Sequence, residues 1–303
     1  MNDDKPLATL AIFFYNQESF VVDAVNGALS QDYDNLEIVF SDDCSTDNTY
    51  AIIQRCVENY SGPHRIILNR NSNNLGISSH FNKVLHDYFN GEFLIGAGGD
   101  DISFPSRVSE SVGFLLTHPN VQSLTGVSVQ VDENLCPIAG LNDNICGGQI
   151  SIFSLDDYCR FDNFLINSGE SRAFRKQVID AFPPLGGVEE DLETFLRCLL
   201  VGEVAILRTP LVKRRIHGNN VSKKVHSVAY RIKQKKQLIN DVQYALDNSY
   251  INELQYERVK NKIDDIIKRL INVDNSKRHP MLYGFFYSLS QFIMRINNVI
   301  CRL

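Results

Sequence analysis

The sequence predicts an α/β protein in which a mostly parallel central sheet is flanked by helices and followed by a helical C-terminal extension. Three observations predict it. Short apolar runs alternate with helix-period segments of about 10–15 residues through the first hundred positions. The segments that follow those runs are polar and rich in Asp, Asn and Gly, as expected at the carboxyl ends of parallel strands, where ligands bind. Beyond Leu211 the composition shifts: residues 211–240 hold nine Lys or Arg and no acid.

Leu7–Tyr15 reads as the opening strand. Phe20, Val21, Ala24, Val25, Ala28 and Leu29 then recur at helical spacing. Leu36–Phe40 is a second strand, followed by a helix through Ile52, Ile53 and Val57. Arg65–Leu68, Ser78–Tyr88 and Glu92–Ala97 continue as strand, helix and strand. Pro105 suits the first turn of a helix carrying Val108, Val112 and Leu115. Val121–Val131 is a strand, Asp132–Leu165 reads as loops and short strands over the binding face, Glu190–Leu200 is a helix and Val204–Leu207 a strand. Residues 241–271 read as one helix with Val259, Ile263, Ile266, Ile267 and Leu270 on one face. Leu282–Leu303 is an apolar helical segment. The division expected is a catalytic unit over 1–220, with its nucleotide-binding part at about 1–105 and its acceptor side at about 106–220, and an extension over 221–303.

Composition narrows the function. With 303 residues and 44% apolar side chains, the chain can build a large core and is not disordered. A net charge of −6 argues against nucleic acid as the partner. The seven cysteines are oddly numbered and irregularly spaced, which fits neither a disulfide framework nor a zinc site and points to a reducing, cytoplasmic location. The start of the chain lacks the pattern of a secretory signal, and no simple apolar segment is long enough to span a bilayer.

Three acidic clusters can carry chemistry. Gly98-Gly99-Asp100-Asp101 joins a tight turn to two hard oxygen ligands suited to Mg²⁺ or Mn²⁺, although such a loop taken alone is more often a solvated turn. In Ser41-Asp42-Asp43-Cys44-Ser45-Thr46-Asp47, helix capping accounts for Ser45–Asp47 but not for two adjacent acids at a strand end. Glu189-Glu190-Asp191 opens a helix, where acids favour the dipole, yet it can equally place a general base at a pocket mouth.

Taken together these residues resemble the inverting family 2 glycosyltransferases with a GT-A fold, of the kind that builds bacterial cell-surface polysaccharides. The resemblance runs from about residue 6 to 222. It rests on Phe14-Tyr15-Asn16, the Ser41–Asp47 loop, Asn73-Asn74-Leu75-Gly76 with Asn82, Gly99-Asp100-Asp101 with Pro105 and Arg107, Glu190-Asp191, and Arg197, Gly202 and Arg214–Ser222. It implies a nucleotide-diphosphate sugar donor, with a UDP-sugar favoured. Phe14, Tyr15, Asn16, Glu18, Asp43, Asn74, Gly76 and Asp100 would form the donor site, Asp43 toward the base and Asp100 toward the ribose. Asp101, with His217, would hold the divalent ion. Asp191 would be the catalytic base, supported by Glu190, and Ser168-Gly169-Glu170-Ser171 could touch an acceptor saccharide, expected to be lipid-linked. Departures include Gly98 where relatives often have an acid, and Phe81 and Phe13 at the positions of possible diphosphate and base contacts.

Two other readings compete. A nucleotidyltransferase would need a glycine- and basic-rich triphosphate loop, which Asn16-Gln17-Glu18 does not supply. A sugar-nucleotide-binding scaffold would not need both Asp100-Asp101 and Glu190-Asp191. For the extension, the basic run Lys213–Lys236 and the apolar Leu282–Leu303 segment fit peripheral contact with the cytoplasmic face of the inner membrane. Packing on the catalytic unit, or against a second copy of the chain in a homodimer, is the alternative.

Overall fold

The computed structural model describes residues 5–138, 150–161, 169–186, 190–218, 220 and 227–275. Among the described residues nine strands form one mixed sheet. Its first half is parallel: β3 (Arg65–Arg70), β2 (Leu36–Asp42), β1 (Ala8–Phe14) and β4 (Phe93–Gly98) lie side by side in that order. The other half alternates. β8 (Arg172–Arg175) runs antiparallel to β4 and to β6 (Val121–Val131), whereas β9 (Glu203–Arg215) runs parallel to β6. β5 (Ile102–Ser103) and β7 (Ser151–Phe153) each add antiparallel to β9.

Strand periodicity explains the two cores. Leu10, Ile12 and Phe14 of β1, with Ile38 and Phe40 of β2, face α1 (Val21–Leu29), α2 (Thr49–Val57) and α4 (Arg107–Thr117). The alternate positions Ala11, Val39 and Leu94 face α3 (Ile77–Asp87) and α7 (Glu190–Val201). Register then brings the loops together. Phe14 pairs with Asp42, Asp42 with Arg70, and Phe13 with Gly98, so four strands end at one rim. The polar loops at those ends form the site.

Several elements differ from the sequence expectation. β9 is thirteen residues long and runs through Lys213–Arg215, because these residues pair with β5 and β6 directly after the buried Leu211 and Val212, and Arg215 itself is buried. Pro210 is accommodated where the β6–β9 register shifts. Pro105 lies outside its helix, which opens at Arg107 after Ser106; the Pro105 carbonyl accepts from Asp32 N–H instead. The helix expected over 241–271 is two helices, α8 (Val228–Asp247) and α9 (Glu253–Asn275). Ser249, at φ 61°, ends the first, and the N–H of Tyr250 returns to the Ala245 carbonyl at 2.8 Å. α8 starts inside the basic run, where the Ser227 hydroxyl caps Tyr230 N–H. Within Asp132–Leu165, the described part folds as β7 and α5 (Leu155–Arg160), the latter opened by a Ser154–Asp157 capping box. None of these described residues lines the site cavity. The expected Leu282–Leu303 segment lies outside the described residues. Among the described residues no helix is long and apolar enough to cross a membrane.

The helical extension is built into the second core. Leu238, Val242, Ala245, Val259 and Ile263 pack with Phe195, Leu196 and Leu199 of α7. A buried charge cluster joins them: Arg197 Nε and Nη2 donate to both oxygens of Asp241 at 3.0 and 2.9 Å, and Nη2 donates to Glu193 Oε1 at 2.8 Å. All three side chains are about 2% exposed. Burial raises the pKa of Glu193 and of Asp241, and the Arg197 guanidinium opposes it. Arg197→Met leaves two buried acids without their cation and should cost about 3–5 kcal/mol at neutral pH. A raised carboxyl pKa contributes stability that is present below the unfolded-state value and lost as pH rises through the folded one. The deficit against wild type should therefore be smallest near pH 4 and grow toward pH 7.5. Urea unfolding at the two pH values measures it; an equal deficit at both would show that the acids are not the cause.

Candidate active site

The rim loops enclose a cavity of about 480 Å³. After β1 the chain turns through Asn16 at φ 52°. Phe14 and Tyr15 line the cavity, whereas Asn16 and Glu18 point to the neighbouring loop. Asn16 Oδ1 accepts from Thr46 N–H at 2.8 Å, and Glu18 Oε2 accepts from Asn48 N–H at 2.9 Å. These two residues tie the β1 loop to the β2 loop and are not among the residues that line the cavity.

The β2 loop resolves the problem of adjacent acids within the protein. Asp42 is fully buried, accepts from Ser45 N–H and hydroxyl, and lies 3.5 Å from Arg70 Nε. Asp43 lines the cavity, and its carboxylate accepts from Asn71 Nδ2 and from the N–H groups of Leu75 and Gly76. That leaves roughly one of its four acceptor sites for a ligand. Gly76 takes φ 78° to open α3, a conformation costly for other residues. Asn74 and Gly76 both line the cavity.

Asp100 and Asp101 follow β4. Gly99 is required there: a Cβ would sit 2.2 Å from the Phe14 ring. Asp100 Oδ2 lies 2.9 Å from His217 Nε2 and accepts from Asn220 Nδ2 at 3.3 Å. His217 is buried and packs on Phe20, with ring centroids 4.6 Å apart. Asp101 Oδ1 accepts from Arg215 N–H at 2.9 Å. Burial, reinforced by the neighbouring Asp100, pushes the Asp101 carboxyl up to about 8. A buried acid pair that retains a proton near neutral pH suits a cation. No group of three or more His, Cys, Asp or Glu among the described residues is arranged to hold a metal unaided. Adjacent carboxylates of this kind are hard oxygen donors, whose chemistry fits an ion such as Mg²⁺ when ligand oxygens complete its shell.

A further acidic pair enters from the other half of the sheet. Glu190 and Asp191, in the first turn of α7, line the same cavity as Asp100 and Asp101. Arg172, 3% exposed, lies 3.6 Å from Asp191 Oδ1 and also donates to the Asp191 carbonyl and to Thr194 Oγ1. Gly169 and Glu170 complete this wall, with Ser128 donating to Glu170 Oε1 and Arg214 at 3.8 Å. Beneath them the buried Arg107 donates to the Glu170 carbonyl and to Ser103 Oγ, and burial pushes its guanidinium down to about 10.

The structure thus brings Phe14, Tyr15, Asp43, Asn74, Gly76, Asp100, Asp101, Glu190 and Asp191 around one cavity and places His217 behind it. Gln17 and His80 also line it and were not foreseen. The signal for His80 was present: a histidine on the apolar face of a helix, flanked by Ile77, Phe81 and Val84.

A mixed sheet with an acid-rimmed cavity beyond its parallel strand ends is the architecture of a GT-A-like α/β fold. The chain belongs to glycosyl transferase family 2, whose model matches residues 9–182. Among similar proteins, the putative glycosyltransferase EpsE of Bacillus subtilis is 34% identical over 41% of this chain, which spans 44% of that relative's length. An uncharacterized glycosyltransferase of Haemophilus influenzae is 24% identical over 95% of this chain and 88% of its own. The Escherichia coli UDP-Glc:alpha-D-GlcNAc-diphosphoundecaprenol beta-1,3-glucosyltransferase WfaP is 29% identical over 42% of this chain and 48% of its own. The crystal structure of S. aureus TarS 1-349 in complex with UDP-GlcNAc shares the fold, with a TM-score of 0.65 at 16% identity over 85% of this chain and 71% of that one.

Gly169 offers a test of the site's tightness. A Cβ there would lie 2.0 Å from Asp191 Oδ2, so Gly169→Ala must displace that carboxylate. Because the obstacle is a side-chain tip, stability should change by less than about 1 kcal/mol while sugar transfer falls roughly tenfold to a hundredfold. Thermal unfolding beside a transfer assay checks both; unaltered transfer would mean that the position of Asp191 is not critical.

Proposed function

We propose that this chain is a metal-dependent inverting glycosyltransferase that moves a sugar from a UDP-sugar to a lipid-linked saccharide in the synthesis of a cell-surface polysaccharide of capsule or O-antigen type. The observation that carries this reading is the presence of Asp100-Asp101 and Glu190-Asp191 on one cavity. UDP-GlcNAc in the TarS fragment, and the UDP-Glc donor and diphosphoundecaprenol acceptor in WfaP's name, support the choice of nucleotide and acceptor class. Residues 1–220 form the catalytic unit in this reading and 221–303 the extension.

Asp191 takes the proton of an acceptor hydroxyl as that oxygen attacks the anomeric carbon from the side opposite the diphosphate. A carbon–oxygen bond forms to the acceptor, the bond to the diphosphate breaks with its electron pair leaving on phosphate oxygen, and the configuration inverts. Arg172 keeps the Asp191 carboxylate in place through its side chain and its backbone. Asp43 meets the base and Asp100 the ribose, while His217 and Asn220 hold Asp100. Asp101 would hold the divalent ion, Mg²⁺ or Mn²⁺, which when bound would supply Lewis-acid stabilisation of the leaving diphosphate. Glu170 and Arg214 form the acceptor side. The extension brings the enzyme to the cytoplasmic face of the inner membrane.

Asp191→Asn should leave donor affinity within a few-fold and lower turnover by about 10²–10⁴. Near-normal turnover would move the base elsewhere, and intact UDP binding with no transfer by wild type to any glycan acceptor would favour a scaffold. Calorimetry should show UDP binding strengthened by Mg²⁺ or Mn²⁺ in wild type and not in Asp101→Asn; equal strengthening in both would remove Asp101 from the metal site. Flotation with anionic vesicles should recover the full chain and not a variant ending at residue 275. A change from dimer to monomer on truncation, with no vesicle binding by the full chain, would assign the segment to self-association.

A further inference from the structure

His80 is nine-tenths buried, lines the cavity beside Asp43, and has no role in the mechanism above. Phe13 packs against its ring edge-on, with centroids 5.2 Å apart. What it can offer a ligand depends on which ring nitrogen carries the proton, and the surrounding hydrogen bonds determine that.

Asp43 fixes the direction of the first hydrogen bond. Its carboxylate can only accept, so Asn71 must turn its Nδ2 toward it, at 2.8 Å. Asn71 then presents Oδ1 to Asn69, whose Nδ2 donates to it at 3.1 Å. The same Nδ2 donates to Ser41 Oγ at 2.8 Å, while Asn69 Oδ1 accepts from Tyr88 OH at 2.9 Å. Ser41 is fully buried and already accepts from Asn69, so its own hydroxyl proton goes to its remaining neighbour, His80 Nε2, at 2.6 Å. Leaving that proton unpaired would cost a buried donor its hydrogen bond. Nε2 is therefore an acceptor. Burial lowers the His80 pKa against the opposing fields of Asp43 and Asp42, which keeps the ring neutral. The single ring proton then sits on Nδ1, which has no hydrogen-bond partner among the described residues.

We propose that His80 is a specificity-determining residue for the donor base: its Nδ1–H and the remaining acceptor site of Asp43 together match the N3–H and adjacent carbonyl of uracil. The assignment rests on the UDP-donor reading and deepens it. A cytosine ring in the same pose presents a lone pair to Asp43 and an amino donor to His80, so both contacts become like against like.

Calorimetry on the full-length protein with UDP and CDP, at fixed Mg²⁺, tests the assignment. Wild type should bind UDP at least about tenfold more tightly than CDP, and His80→Leu should shrink that ratio by about five- to tenfold, chiefly by weakening UDP. Ser41→Ala, which removes the hydroxyl donor behind the ring, should shrink it by about two- to threefold. Nitrogen-15 spectra of the histidine-labelled wild type should show His80 as the Nδ1–H tautomer, a readout that needs neither ligand nor variant. An Nε2–H tautomer, or an unchanged UDP-to-CDP ratio in a folded His80→Leu, would overturn the assignment while leaving the donor reading intact. Failure of wild type to bind UDP would overturn both.

Discussion

The geometry of the site depends on one buried guanidinium. Arg215, at the end of β9, is about 2% exposed and engages in every direction. Its N–H holds Asp101, its Nε donates to the Asp100 carbonyl at 3.2 Å, and its Nη1 donates to the Glu133 carbonyl. Its Nη2 donates to Asp23 at 2.7 Å, and the guanidinium lies 4.8 Å from the centre of the Phe20 ring. The residue thereby joins the last long strand, the acidic loop after β4, the helix after β1 and the turn after β6. A buried cation is tolerable only with this degree of pairing. The outcome is a fixed position for two adjacent carboxylates that would otherwise repel each other out of the cavity.

The two acidic pairs at the rim are stabilised in different ways, and that difference separates scaffold from site. Asp42 and Asp43 are met by hydroxyl, amide and backbone donors of their own and neighbouring loops, so most of their capacity serves to shape their end of the cavity. Asp100 and Asp101 receive fewer donors, and Asp101 sits where burial opposes its charge. Capacity left unfilled by the fold is capacity for a ligand, as expected where function is maintained against local stability.

The second half of the molecule acts on the same cavity through α7. Its first turn carries Asp191 and its third the buried Arg197, which is bound to Asp241 of α8. The helix that presents Asp191 is thus held from beneath by β8 through Arg172 and from behind by the C-terminal helices. Precision at Asp191 comes from this double anchoring on rigid elements rather than from a loop.

How much of this was legible in the sequence follows from the range of the forces involved. Alternating apolar runs, helix-period faces and the Asp and Gly residues at strand ends are local patterns, and they yielded the fold class, the cavity's location and its acidic residues. The break at Ser249 and the full length of β9 were not legible. The first depends on a left-handed residue without glycine, the second on basic residues that become strand residues only when β5 and β6 pair with them. Likewise Asn16 and Glu18 look like ligand-facing residues until Thr46 and Asn48, about thirty positions away, take up their oxygens. By itself the sequence determined which residues could do chemistry, because side-chain type and strand-end position are written in it. Only the tertiary structure decided which of them remain available to a ligand, because hydrogen-bond capacity is consumed by partners that the fold, not the chain order, brings within reach.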